Sequence, residues 1–292
     1  MFHVPVTYFF EFRKTNEQTR SYIMGEFAAN GAKYLVLTHD LINMIMADFT
    51  AAAKLEKEMS AAGLTFLDAH APFGQYLDLN NPEPAVRRQL ILRHKLHIQI
   101  AADMGVDTVT IHPGNDYYYP EVPLPQQISN TIAALDEILP VAADRGVTVC
   151  IENIWCRSNT PEKLLEIKAA FPCDTLGFCF DAGHANQMDK GRNFEKNSAA
   201  DCYVLVGETP VYDDQIGEKM LPHIVNCHLN DNDGQYDTHI NIFDGNTDWT
   251  KVMRLLRKAP RLKCIQSEVI PVANKTSIRD ICEAFRKLGE IY

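Results

Sequence analysis

Between His228 and Trp249 one loop holds five side chains of the types that bind divalent cations: His228, Asp231, Asp233, Asp237 and His239. It follows Ile224-Val-Asn-Cys227, a short run that reads as a strand, so the ligand types begin where a strand ends. Imidazoles and carboxylates at this density suit a metal site. A solvated loop rich in turn formers is the plainer reading of the same residues. Matching groups at other strand ends would decide between the two.

Such groups stand at six consecutive strand ends. The third strand ends at His70, the fourth at His112, the fifth at Glu152, and the sixth at Asp181 with His184 three residues on. The seventh gives His228, with Asp237 and His239 in its loop, and the eighth gives Glu268. A single histidine at a strand end is ordinarily a hydrogen-bonded loop residue. A glutamate at the end of an apolar strand, as Glu152 and Glu268 are, needs a cation, because an unpaired buried charge is costly. A metal site is the simplest account of all nine. Oxygen and nitrogen ligands without thiolate suit Mn²⁺, Zn²⁺, Mg²⁺, Co²⁺ or Fe²⁺ alike. The first strand offers only His3, at the wrong end, and the second the weaker pair His39 and Asp40.

Periodicity supplies the elements that must position these groups. Strands are expected at Val4–Phe10, Ala32–Thr38, Leu64–Ala69, Asp107–Ile111, Val147–Ile151, Leu176–Phe180, Ile224–Cys227 and Lys263–Ser267. Helices are expected at Asn16–Asn30, Phe49–Ala62, Pro84–Met104, Pro125–Arg145, from Thr160 onward, at Asp248–Lys258 and at Ser277–Leu288. Short helices are expected around Ala199–Val206 and Ile216–Leu221, and His39–Met44 reads as a loop without Arg or Lys. Apolar strands of this length alternating with helices imply a parallel sheet buried on both faces. Eight such units in 292 residues imply a single (β/α)₈ barrel over residues 1–292. The rival, a doubly wound open sheet, lacks its Gly-rich phosphate turn. In a barrel, all the strand ends named above meet at one mouth.

Composition narrows the partners. The net charge of −10 and the absence of any Lys/Arg-rich run argue against a nucleic-acid surface. No apolar run reaches the roughly 18 residues of a membrane span. The apolar start, Met1–Phe10, lacks a basic segment and a cleavage site, and reads as a first strand and not as a signal peptide. The 8 cysteines include no Cys-x-x-Cys pair, and Cys150, Cys179, Cys227 and Cys264 lie in strand-like runs, as buried reduced thiols of a cytoplasmic protein would.

In order and spacing, His70 to Glu268 resembles the xylose-isomerase-like barrels, which include sugar isomerases and epimerases together with endonuclease IV. The resemblance to endonuclease IV implies a nine-ligand set: His70, His112, Glu152, Asp181, His184, His228, Asp237, His239 and Glu268. The isomerase and epimerase branch implies a smaller set around one metal, Glu152, Asp181, His228 and Glu268. His70, His112, His184, Asp237 and His239 are then further ligands or substrate contacts. Phe180-Asp-Ala-Gly-His184 and Asp248-Trp249 are similar to the epimerase branch, whereas His70-Ala-Pro-Phe73 with Leu77-Asp-Leu79 is similar to the nuclease. Asp244-Gly245-Asn246 departs from the Gly-x-Gly turn usual in the epimerases.

These residues lead to three functional expectations. The first is a divalent-metal-dependent isomerase or epimerase of a ketose, keto-sugar or related derivative, working through a metal-stabilised enediolate. Glu152 and Glu268 act as its base and acid on opposite faces of the substrate. Trp155 and Arg157 are expected to contact the substrate, and Trp249 to pack at a helix start. The second is a zinc phosphodiesterase of the endonuclease IV kind, and the third a barrel that binds sugar or metal without turnover. Asp237 and His239 separate the first two, and they are expected to stand free of metal. The partner is a small carbohydrate, and the resemblance implies a homodimer or homotetramer.

Overall fold

The protein is described here by a computed structural model covering residues 2–192 and 194–292, so Met1 lies outside the described residues. Eight strands occur in order: β1 (Val6–Tyr8), β2 (Tyr34–Leu37), β3 (Thr65–His70), β4 (Thr108–Ile111), β5 (Thr148–Glu152), β6 (Leu176–Asp181), β7 (Ile224–Leu229) and β8 (Ile265–Ser267). Each pairs in parallel with the next, and β1 closes on β8 through Val6–Ile265, Thr7–Gln266 and Tyr8–Ser267. The expected (β/α)₈ barrel is therefore the fold. Apolar residues such as Phe27, Phe178 and Phe285 fill the space between barrel and helices.

The strand bounds differ from expectation in an informative way. β3, β5, β6 and β7 run on to include His70, Glu152, Asp181 and His228, where the apolar pattern had already stopped. These residues still pair in the sheet while their side chains form the polar top layer of the barrel. Hydrophobicity thus marks the end of the apolar layer and not the end of the strand. β1 is shorter than expected, beginning after Pro5, which has no N–H to offer a ladder. The segment after β2 is a correction: His39–Ala47 is a helix, not a loop, and buries Leu41, Ile42 and Ile45 on one face.

Below the top layer the barrel interior is also polar. Asp68, Thr7, Thr110, Asn226 and Gln266 are all fully buried. Thr108 Oγ1 donates to Asp68 Oδ1 (2.7 Å), and Asn226 Nδ2 lies 3.2 and 3.1 Å from the two Asp68 oxygens. Burial pushes the Asp68 carboxyl up to about 6, against the pull of these donors. At the bottom, Gly177 on β6 leaves room for Val225, whose Cγ2 would lie 2.3 Å from any added Cβ.

The helix Pro84–Asp103 buries two histidines outside the polar cluster of the strand ends. His94 and His97 lie edge to face with ring centroids 5.3 Å apart, and His94 Nε2 donates to Leu77 O (2.7 Å). Burial lowers His94 to about 4, and burial with the neighbouring His94 lowers His97 to about 2, from an ordinary 6.5. The unfolded chain therefore takes up these protons first as pH falls. Their contribution is complete above pH 6.5, declines down to about 4 for His94 and continues downward for His97. We expect each to cost about 2 kcal/mol at pH 5 relative to pH 7. Urea unfolding at the two pH values should show a drop smaller by about that amount in His97→Leu; an identical drop in variant and wild type contradicts this.

Among the described residues no helix is long and apolar enough to cross a membrane. None of the eight cysteines forms a disulfide, and Cys150, Cys179, Cys227 and Cys264 are buried in or beside the strands.

Candidate metal centre and active-site mouth

Glu152 and Asp181 close their strands, His228 is the last residue but one of β7, and Glu268 follows β8 by one residue. The four are buried, and one ligand atom from each lies within 4.8 Å of the others. His228 Nδ1 is central, 3.1 Å from Glu152 Oε1, 3.3 Å from Glu268 Oε1 and 4.0 Å from Asp181 Oδ2. The other Asp181 oxygen caps the helix Ala182–Gln187 by accepting from His184 N (2.6 Å). Asp181 thus both starts that helix and faces the centre.

Three carboxylates around one imidazole form an electrostatically lopsided group. Burial raises Glu152, but His228 and His112 pull it well below the carboxylate range. Glu268 is likewise lifted by burial and lowered, chiefly by His228, to about 2. Asp181, burial outweighing its neighbour His184, is pushed up to about 7. His228 is depressed by burial and carried well above its usual value by Cys179 and the glutamates. Glu152 Oε2 is buried and accepts no hydrogen bond, although His112 Nε2 and His70 Nε2 stand 3.3 and 3.8 Å away. A buried carboxylate oxygen without a donor, in an all-oxygen-and-nitrogen group, fits a divalent cation.

The surrounding imidazoles are aimed by their backbones. The Nδ1 atoms of His70, His184 and His239 lie 2.9, 2.8 and 2.9 Å from the carbonyls of Ala71, Asn153 and Glu268. A carbonyl only accepts, so each Nδ1 carries the proton, and the Nε2 atoms of His184 and His239 turn to Asp237. His228 is reversed. Its Nδ1 faces the carboxylates, and its Nε2 lies 3.4 Å from Thr110 Oγ1, which accepts from Asn226 Nδ2 (3.0 Å). The buried network around Asp68 therefore reaches the underside of the centre.

Asp237 and His239 do not stand apart. With His184 they form a second group whose ligand atoms lie within 4.8 Å of one another. Asp237 Oδ2 is 2.8 Å from His239 Nε2 and 3.5 Å from His184 Nε2. Against the effect of burial, the two imidazoles hold Asp237 far below its ordinary value, and Asp237 raises His239 to about 10. His239 has φ 47°, a left-handed conformation that a non-glycine residue adopts at a cost of roughly 1 kcal/mol or more. Ile270 N and Asn274 Nδ2 bind its carbonyl, both at about 3 Å, and hold it there. His70, Glu152 and His228 make a third such group, sharing two members with the first.

Other residues singled out from the sequence have different places. Asp231 is structural: it accepts from Phe243 N, Thr247 N and Trp249 Nε1 at 2.9–3.1 Å and organises the loop after β7. Trp249 starts a helix and is buried, as expected. Asp233 caps an exposed turn at Gln235. Arg157 pairs with Asp116 and Glu208 and is not among the residues lining the mouth cavity. Trp155 does line it, edge-on to His184 at 4.8 Å, with Nε1 directed to Cys202 Sγ (3.2 Å). His39 and Asp40 line the cavity as well, while His3 contacts Tyr292 at the other end of the chain.

Sequence reasoning overlooked the asparagines. Asn153 exchanges hydrogen bonds with the backbone of Asp181 (2.9 and 3.0 Å) and through its carbonyl aims His184, so it ties the ends of β5 and β6 together. Asn230 donates to Asp181 Oδ2 (3.2 Å) and approaches Gly183 so closely that an added Cβ would lie 2.1 Å from its Oδ1. Their placement beside Glu152 and His228 was the available signal. The departure at Asp244-Gly-Asn246 is accommodated. Gly245 sits where a Cβ would meet Asn232 O at 2.3 Å, and Asn246 is held by Asn232 O and by Asn186.

Barrel and site together define a parallel (β/α)₈ protein with clustered metal-ligand types at the C-terminal mouth of its strands. The chain belongs to the xylose isomerase-like TIM barrel family, whose model matches residues 26–288. An uncharacterised protein of Methanocaldococcus jannaschii is 29% identical over 230 residues, covering 76% of this chain and 68% of that one. A probable endonuclease 4 of Thermotoga maritima is 23% identical over 157 residues, 52% of each chain. Among solved structures, a D-tagatose 3-epimerase-like protein superposes with TM-score 0.71 at 20% identity, covering 99% of this chain and 96% of that one. An IolI protein with a bound zinc atom gives 0.70 at 16% identity, covering 98% and 97%.

Proposed function

We propose that this protein is a divalent-metal-dependent isomerase or epimerase of a ketose, keto-sugar or related sugar derivative. The observation that carries the reading is that Glu152 and Glu268, from β5 and beyond β8, reach the same His228 nitrogen from different sides (3.1 and 3.3 Å). Glu152, Asp181, His228 and Glu268 would hold the cation. When bound, a divalent cation at this place supplies a Lewis acid that polarises a carbonyl and offsets charge developing on its oxygen. One glutamate removes the proton from the carbon beside the carbonyl, and the other, after taking a proton from solvent water, passes it to the opposite face. In this reading each glutamate, coming from a different strand end, works on its own face of a sugar lying in the mouth. His184 and His239, paired through Nε2 with Asp237, form with it a polar edge of the cavity for the sugar hydroxyls. Trp155 walls the substrate; Arg157, engaged by two carboxylates, is left out of the set.

The test is solvent exchange. Protein loaded with Mn²⁺ and incubated with a panel of ketoses in deuterated water should place deuterium on the carbon next to the carbonyl of one of them, read by NMR together with the new isomer. Exchange from no ketose, with a phosphodiester hydrolysed instead, overturns the proposal.

A second reading has an observation of its own in the group His184–Asp237–His239. Should it hold a further cation, the mouth becomes a polynuclear site suited to activating water against a phosphoester. Against this, Arg13 is the one Lys or Arg among the described residues lining the mouth, which leaves little to hold a nucleic-acid backbone. Cleavage of abasic-site duplex would favour this second reading.

A further inference from the structure

Resting on the sugar reading proposed above, we infer that the substrate is an uncharged sugar carrying an apolar ring substituent, and not a sugar phosphate or a bare ketose. The mouth is a cavity of about 420 Å³, in the size range of sites for ligands larger than a monosaccharide (roughly 300–1,000 Å³). Its floor is the polar cluster, and its walls divide by chemistry.

The wall above β1 and β2 carries Glu11, Asp40 and Arg13. With the cation matched to Glu152 and Glu268, and Asp237 matched to His239 and His184, Glu11 and Asp40 remain against the single guanidinium of Arg13. A phosphate on the far end of a sugar would face this net negative field.

The wall above β3, β4 and β5 is aromatic. Phe73 stacks on His112 with centroids 4.4 Å apart and stays 48% exposed. Tyr117 and Tyr118 pair at 4.6 Å, and Trp155 stands at 4.8 Å from His184. A free sugar offers one ring face of C–H groups, for which a single aromatic platform is enough. Here three loops contribute rings, and an exposed aromatic surface of this kind marks a place where apolar groups bind.

The wall is also built to keep its shape. Buried Asp78 accepts from Gly74 N (3.0 Å) and Asn115 N (3.3 Å), joining the loop that bears Phe73 to the one that bears the tyrosines. Buried Asp116 accepts from Ser158 N and Oγ (both 3.2 Å), joining the tyrosine loop to that of Trp155. Rings fixed in this way bind without the cost of ordering loops, as a recognition surface requires.

The test uses four probes on the Mn²⁺-loaded protein, followed by calorimetric titration: phenyl β-D-glucopyranoside, methyl β-D-glucopyranoside, D-fructose and D-fructose 6-phosphate. The phenyl glycoside should bind about tenfold tighter than the methyl one, as expected of aromatic contacts. The phosphorylated ketose should bind no tighter than the free one. Phe73→Ala and Tyr118→Ala should each bring the phenyl-to-methyl ratio toward one. Equal binding of phenyl and methyl glycosides, or tightest binding of the phosphate, overturns the inference alone if D-fructose still binds. Failure of all four probes to bind overturns the sugar reading with it.

Discussion

Glu152→Gln and Glu268→Gln will each lose proton exchange at the carbon beside the substrate carbonyl, by roughly 10²–10⁴-fold at saturating metal. The amide keeps the size and one oxygen of the carboxylate but cannot take a proton at neutral pH. Both glutamates are held ionised by the imidazoles around His228, so each is in the form a base requires. A Gln at either position also removes a charge from the proposed metal set, and weakened metal binding would give the same loss. Asp181→Asn separates the two causes. Asp181 belongs to the same group but also caps a helix, and in the proposed mechanism it moves no proton. At saturating metal it should keep far more exchange than either glutamate variant. Full exchange in both Gln variants would remove Glu152 and Glu268 from the acid–base role.

The second large effect concerns the cation itself. Without one, three carboxylates share the same buried space, and Glu152 Oε2 has no donor. A cation bound only by the folded state, at a thousand times its dissociation constant, stabilises by about 4 kcal/mol. For a chain of this size that is a rise in Tm of roughly 7 °C over chelator-treated protein. His228→Ala should abolish the rise. Elemental analysis then bears on the second group: under the isomerase reading one ion binds per chain, and Asp237→Asn leaves that count unchanged. If Asp237→Asn instead lowers a higher count by one, His184, Asp237 and His239 hold a cation and the phosphoester reading gains. Equal Tm with metal and with chelator would contradict a metal centre altogether.

Much of this was legible in the chain because a barrel turns sequence order into spatial order. Once eight strand–helix units are recognised, His70, His112, Glu152, Asp181, His228 and Glu268 must meet at one mouth, whatever their separation along the chain. Local signals failed where geometry depends on partners distant in sequence. Arg157 lies close to Glu152 in sequence, but a short 3₁₀ turn at Arg157–Asn159 directs it to Asp116 and Glu208. Asp231 and Asp233 looked like ligands beside Asp237, yet one organises its own loop and the other caps a turn.

Apolar periodicity along the chain sets which faces are buried, and this was enough to specify the eight-unit barrel and the ring of acids and imidazoles at the strand ends. Only the tertiary structure decided how that ring divides. Glu152, Asp181, His228 and Glu268 close into one buried group, and Asp237 with His239, expected to stand free of metal, closes onto His184 as another. The physical reason is that residue type fixes what a side chain can bind, while its direction is set by backbone partners elsewhere. A left-handed φ at His239, the Asn153 carbonyl beneath His184 and the Thr110 hydroxyl behind His228 leave no trace in local spacing.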